Sequence, residues 1–147
     1  MAGSISNGND VAAAIQMGAD LAWMGTRFIN VEESLADKEY KKMIIDSSAE
    51  DIVYTAAVSG VNASFLRSSL EAMGITEEMW SKTKKIDFGS ELDAAKAEAK
   101  AWKTIWSAGQ GVTSINNVKS INSLVSELKK EFLLGLERMK EVYKTYN

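Results

Sequence analysis

Two short stretches near the start of the chain carry the residue types that hold an anion: Gly3-Ser4-Ile5-Ser6-Asn7-Gly8 and Met24-Gly25-Thr26-Arg27. A phosphate is bound by several main-chain N–H groups converging on it, with the positive end of a helix dipole close by. Glycine loops that open helices supply both. The first loop offers Gly3, Ser4 and Ile5; the second offers Met24, Gly25 and Thr26, the threonine adding a hydroxyl. Arg27 follows at once, placed either to neutralise the phosphate or to pair with a local carboxylate. The plainer alternative is that both loops are tight turns at strand ends and hold no ligand.

The elements between and after these loops must position them. Asn9 or Asp10 can cap a helix over Val11 to Met17, small and apolar nearly all round, with Gly18 as its C′ residue. Such a helix is expected to be buried on several sides. Leu21-Ala22-Trp23-Met24 is a short continuous apolar run, the form of a fully buried parallel strand. Helix and strand make the second half of a βαβ unit whose first strand is expected to be missing, since the chain opens at the loop. A lone parallel strand would leave two open edges and predicts poor solubility.

Beyond Phe28 the pattern turns helical. Helices are expected over Glu32 to Ser48, Ala63 to Met73 (stopped by Gly74), Glu91 to Trp106, and Val118 to Tyr146, with a short strand within Asp51 to Val58. Thr76-Glu77-Glu78 caps a short turn holding Met79 and Trp80, and Ser107 to Val112 is a loop. Gly135 interrupts the last helix at about 1 kcal/mol relative to alanine, so a bend or a close packing contact is expected there. No internal repeat or domain boundary stands out. Residues 1–30 hold the two loops and residues 31–147 form a mostly helical extension, together one part of an α/β domain.

Composition narrows the chemistry. The 147 residues suffice for one ordinary domain but not for a complete (β/α)₈ barrel of ~250 residues. A net charge of -3 gives no basic excess for nucleic acid. No apolar run approaches the ~18 residues of a membrane span, and the start has no secretory-signal pattern, so the expected location is the cytoplasm. With no cysteine and no histidine, thiolate metal sites, disulfides and imidazole bases are excluded from these residues. Glu32-Glu33 and Glu77-Glu78 read as solvated helix-end charges, and Lys82, Lys84 and Lys85 as a solvated loop. Arg67 ties its helix to its surroundings, and the four tryptophans and seven methionines are packing residues.

The opening segment AGSISNGNDVAAAIQMGADLAWMGTRF also resembles the last two strand-end phosphate loops of FMN-dependent barrels, inosine-monophosphate dehydrogenase relatives included. Two later segments distinguish among them. VSGVNASFLRSSLEAMG, from Val58 to Gly74, and WKTIWSAGQGV, from Trp102 to Val112, are similar to the nitronate monooxygenases, formerly called 2-nitropropane dioxygenases.

That resemblance implies the C-terminal part of an FMN-binding (β/α)₈ TIM barrel, predominantly helical as present. Gly3 and Ser4 match the family's Gly-Gly loop, with serine in place of the second glycine, where its side chain either crowds the phosphate or adds a hydroxyl contact. Trp23, Met24, Gly25 and Thr26 match the second phosphate loop. Ala108, Gly109 and Gln110 match a late Gly-Gln motif beside the flavin ring. The implied activity is FMN-dependent oxidation of a small alkyl nitronate with oxygen to a carbonyl compound and nitrite. The family's histidine base lies on an earlier strand without counterpart here, so no catalytic residue is expected in this chain, nor activity from it alone. Alternatives are a non-catalytic α/β fragment or interaction module needing a partner chain, and an FMN-dependent enoyl-reductase relative.

Overall fold

The computed structural model describes residues 1–58, 60–81 and 104–146. Most of the helix expected over Glu91 to Trp106, and Lys82, Lys84 and Lys85, lie outside these residues.

The first helix, α1 (Gly8–Gln16), begins earlier than its apolar run because Asn7, not Asn9 or Asp10, is the cap. Asn7 Oδ1 accepts from Asp10 N at 2.9 Å, while Asp10 Oδ2 accepts from Asn7 N at 3.2 Å and Ser6 N at 2.8 Å. The short carboxylate at the third helical position thus answers the cap, so the polar residues that precede the apolar run belong to the helix. At the other end Gly18 has φ +91, Ala19 N donates to Ala14 O, and Gly18 N to Ile15 O, the Schellman closure that glycine permits.

Trp23 pairs in parallel with Ala2: Trp23 N donates to Met1 O at 2.8 Å, and Met1 N to Leu21 O at 2.5 Å. Met1 and Ala2 thus meet Trp23 through an isolated parallel bridge, and neither they nor Leu21 to Met24 form a regular strand. The expectation of full burial fails: Leu21 is 79% and Trp23 75% exposed, while Ala22 and Met24 are half-buried. Alternate side chains point to opposite faces, and only the Ala22–Met24 face is covered. In the same way α1 buries Gly8, Ala12 and Ala14 but leaves Ile15 and Met17 exposed, so it is covered on one side, not several.

A one-turn helix α2 (Thr26–Ile29) leads to α3 (Lys38–Asp46), shorter than the stretch from Glu32 because Asp37 caps it by accepting from Glu39 N at 2.8 Å. Strand β1 (Ile52–Thr55) pairs antiparallel with β2 (Ala63–Leu66), in the register Ile52 opposite Leu66. Helix α4 (Arg67–Ala72) is thus only the second half of the helix expected from Ala63. Phe65, Leu66, Leu70 and Met73 have helical spacing, but the adjacent Phe65 and Leu66 are buried in different clusters on opposite sides of the hairpin, as neighbouring strand residues are. Ser107 extends the pairing by an antiparallel bridge to Phe65, and Leu66 N donates to Trp106 O at 2.9 Å, so Trp106 is extended rather than helical. Helix α5 (Glu77–Trp80) follows Thr76 as expected, and Arg67 lies over the Trp80 ring at 5.6 Å.

The long helix α6 (Ile121–Tyr146) forms where the sequence places it. Glu33 is an exposed residue but not only solvated: its carboxylate accepts from Ile121 N at 2.9 and 3.0 Å, capping α6. Helices α1 and α6 cross at glycines. A Cβ on Gly8 would lie 2.1 Å from Leu128 O, and one on Gly135 would lie 3.1 Å from the Ala12 Cβ. Gly135 therefore marks a close packing contact. Two apolar clusters form the interior. One, around Val53, Phe65, Leu70, Ile75 and Trp80, sits under one side of the hairpin. The other, around Ile44, Leu66, Ala108, Val112 and Ile115, underlies the loops described next.

Candidate functional site

Three loops meet over the second cluster. A pocket of about 100 Å³ is lined by Gly3, Ser4, Ile5 and Ser6 from the first loop, Trp23, Gly25 and Thr26 from the second, and Gly109 and Gly111 from the third. Ile5 and Ser6 are buried and anchor the first loop, leaving Gly3 and Ser4 at the mouth. Ser6 Oγ donates to Gly111 O at 2.9 Å, and Gly109 N donates to Thr26 Oγ1 at 2.9 Å. The third loop is thereby tied to both of the others. Its closeness needs glycine, because a Cβ on Gly111 would stand 2.1 Å from Ser6 Oγ and 3.4 Å from the Ser4 main chain.

The structure brings together Gly3, Ser4, Trp23, Gly25 and Thr26. It does not place Met24 or Gln110 on the lining; Gln110 is exposed at the start of a 3-10 turn, Gln110–Ser114. Ile5, offered by the first loop, is on the lining, whereas Gly111 and Ser6 were not singled out by sequence as site residues. The Gly109-x-Gly111 spacing was the available signal, since glycines two apart beside a tight turn indicate close main-chain approach.

Ser4 has φ +55 and Gly3 φ +95. The left-handed region costs an L-residue roughly 1–2 kcal/mol, which glycine avoids. A conformation suited to Gly-Gly is thus kept with serine in the second place.

Not every donor near the first loop faces the pocket. The N–H groups of Ser6 and Asn7 go to Asp10, and that of Gly8 goes to Glu131 Oε2 at 2.7 Å. The positive end of α1 is answered by the protein's own carboxylates. A phosphate in the pocket would draw instead on the main chain of Gly3 to Ile5 and of Gly25 and Thr26, with the Ser4 and Thr26 hydroxyls beside it.

Arg27 turns away from the pocket. It is 5% exposed, reaches Asn117 O and Oδ1 at 3.5 Å, and lines a separate polar cavity of about 150 Å³ with Lys119, Glu127 and Glu131. Burial lowers its pKa, and the fields of Glu127 and Glu131 oppose that shift. Of the two roles open to Arg27, the structure selects the carboxylate neighbourhood.

Beside the pocket, and sharing Gly25, Thr26 and Gly109 with it, runs an open groove of about 410 Å³ walled by Ile29, Tyr40, Ala63, Ser64, Ser107 and Ala108. Tyr40 stacks on Trp106 with ring centroids 5.0 Å apart and planes 13° apart, and its hydroxyl donates to Ser107 O. Burial pushes the Tyr40 pKa up to about 12. Among the described residues no group of three or more acidic side chains is placed to hold a metal ion. No helix among them is long and apolar enough to cross a membrane.

The family described as nitronate monooxygenase matches residues 1–131. A nitronate monooxygenase of Paraburkholderia phytofirmans is 30% identical over 95% of this chain and 39% of its own length. Among solved structures, FabK from Thermotoga maritima has a TM-score of 0.73 at 27% identity, covering 96% of this chain and 46% of that one. Nitroalkane oxidase from Streptomyces ansochromogenes has a TM-score of 0.69 at 27% identity, covering 94% and 40%. The chain thus spans about two-fifths of the length of the curated relative and under half of the solved ones. Its fold is that of the C-terminal portion of a TIM-barrel enzyme, α/β in class and predominantly helical in the described residues.

Proposed function

The chain belongs to the nitronate monooxygenase family, a family of oxidoreductases, and we propose that it supplies the phosphate-anchoring part of an FMN site in an enzyme of that kind. The observation that carries this reading is the three-loop pocket, walled by Gly3, Gly25, Gly109 and Gly111 with the hydroxyl residues Ser4, Ser6 and Thr26 among them. Apart from Ile5 and Trp23, its walls are glycine main chain and small hydroxyl side chains, so donors approach a tetrahedral oxyanion closely. Neither Gly3 nor Gly25 has any atom within 4 Å of where a Cβ would stand, which leaves space at the mouth. The donor set fits a phosphate monoester.

Bound there, FMN would supply the redox chemistry, the oxidation of a small alkyl nitronate by oxygen to a carbonyl compound and nitrite. The residues of this chain bind and orient. Gly3, Ser4, Gly25 and Thr26 hold the phosphate end, and the groove along Ala108 and Gly109 gives the rest of the cofactor a wall. Gln110, exposed at the end of that wall, is the residue proposed to reach the ring. The nitronate monooxygenase resemblance puts the base, a histidine, on an earlier barrel strand, and these residues contain no histidine to take that role. By itself the chain anchors a cofactor without enclosing its reactive end. Oriented enclosure supplies much of the barrier reduction, so the chain alone is inactive.

The test is titration of the purified 147-residue chain with FMN and with riboflavin, followed by flavin fluorescence. FMN binding at least tenfold tighter than riboflavin, lost in Gly25→Val, supports the phosphate site. Equal affinity for the two, or no affinity for either, overturns it. Added propane-2-nitronate should cause no oxygen uptake.

A further inference from the structure

We infer that Tyr40 is the positioning residue of the phosphate pocket, holding in place the loop that closes it. The inference rests on the FMN-phosphate reading for its ligand and on the hydrogen-bond geometry for its mechanism. Tyr40 lies on α3, remote in sequence from all three loops, and lines only the adjoining groove. Its ring stacks on Trp106 and its hydroxyl donates to Ser107 O. On the far side of Trp106, Ser69 Oγ accepts from Trp106 N at 3.0 Å, and Trp106 O accepts from Leu66 N at 2.9 Å. The main chain at residues 106 and 107 is therefore gripped by the hairpin on one edge and by Tyr40 on the other.

Two residues further on, Gly109 N meets Thr26 Oγ1 at 2.9 Å. That contact aims the Thr26 hydroxyl. With its oxygen accepting from Gly109, its hydrogen is left to donate, and an anion in the pocket is an acceptor. Without the Tyr40 hydroxyl, Ser107 O loses its partner and the turn carrying Gly109 loses one of its restraints, the contacts at Thr26 and Ser6 remaining. The stack would remain, so the fold persists while the donor set loosens.

The discriminating variant is Tyr40→Phe, which keeps the ring and removes the hydroxyl. One measurement is the ratio of riboflavin to FMN dissociation constants, which general loosening of the fold leaves unchanged because both ligands share the same ring and ribityl chain. The expected result is a ratio lowered about threefold to tenfold, the range set by one hydrogen bond. The second measurement, which needs no flavin, is amide exchange at Gly109. Its protection should fall by a similar factor in Tyr40→Phe, with the thermal midpoint close to that of the wild type. If the wild type shows no preference for FMN, the phosphate reading fails and Gly109 exchange alone decides the role of Tyr40. An unchanged ratio in a chain that prefers FMN, or unchanged Gly109 protection, overturns the inference.

Discussion

Gly8 lies directly against the main chain of α6, where a Cβ would stand 2.1 Å from Leu128 O and 2.5 Å from Phe132 N. Both obstacles are helix backbone and cannot rotate aside. Gly8→Ala should therefore separate α1 from α6 and destabilise the chain by about 1–3 kcal/mol or more. Gly135 faces the same interface, but its Cβ would meet side-chain atoms, the Ala12 Cβ at 3.1 Å and Asn9 Oδ1 at 3.2 Å. There the gain of about 1 kcal/mol in helix propensity offsets the crowding, and Gly135→Ala should change stability by less than about 1 kcal/mol. Urea unfolding of both variants checks the pair; equal losses would contradict the asymmetry.

Ser4 bears a left-handed φ of +55 at the mouth of the three-loop pocket. Ser4→Gly removes a cost of roughly 1–2 kcal/mol in the folded state and adds about 0.5–1 kcal/mol of unfolded-state entropy. A net gain of up to about 1.5 kcal/mol in unfolding free energy is expected. The same variant separates the two roles open to the serine. Weaker FMN binding in Ser4→Gly identifies a hydroxyl contact, and tighter binding identifies crowding.

Tyr40 makes stability fall at high pH. Its folded pKa is raised to about 12 by burial, whereas an unfolded tyrosine titrates near ~10. Its contribution is fully present below pH ~10 and is lost as pH rises toward 12, because only the unfolded chain readily releases that proton. In a tyrosinate absorbance titration of the folded chain, this one of the four tyrosines should ionise late. Tyr40→Phe should flatten the decline in denaturation midpoint over that window.

Asp51 acts at the acid end. Its carboxylate accepts from Ser48 N at 2.8 Å and from Ser48 Oγ at 3.0 Å, and these bonds hold its pKa below the ordinary carboxylate value. The sign is opposite to that of Tyr40. The stabilisation is present above pH ~4 and disappears as pH falls through the lowered folded value. Asp51→Asn should show a shallower loss of stability with acid than the wild type.

Leu21 and Trp23 present an uncovered apolar face beside an open strand edge, with Met17 also exposed nearby in sequence. Such an edge pairs with other chains, and a lysine blunts it. Leu21→Lys should shift the purified chain toward monomer in sedimentation velocity. An unchanged distribution would mean that this edge does not drive association.

What the sequence determined by itself are the features encoded locally. Gly18 and Gly74 end their helices because only a residue tolerant of positive φ closes such a turn cheaply, and α6 is legible in its 3.6-residue apolar spacing. The two glycine loops, and the family, are legible because glycines and small polar residues occur in fixed order along a continuous stretch. Tertiary structure alone decided what depends on residues far apart in the chain. Phe65 and Leu66 read as part of one helix with Leu70 and Met73 until β1 and the chain at Trp106 offered them sheet partners, and pairing outweighed the weak local preference. Arg27 had two roles open until α6 brought Glu127 and Glu131 beside it. The third wall of the pocket, Gly109 and Gly111, comes from more than eighty residues after Thr26, and no local pattern specifies that distance. Local sequence sets which turns and helices are cheap. Which loops face one another is set by the burial of Ile44, Leu66, Val112 and Ile115 beneath them.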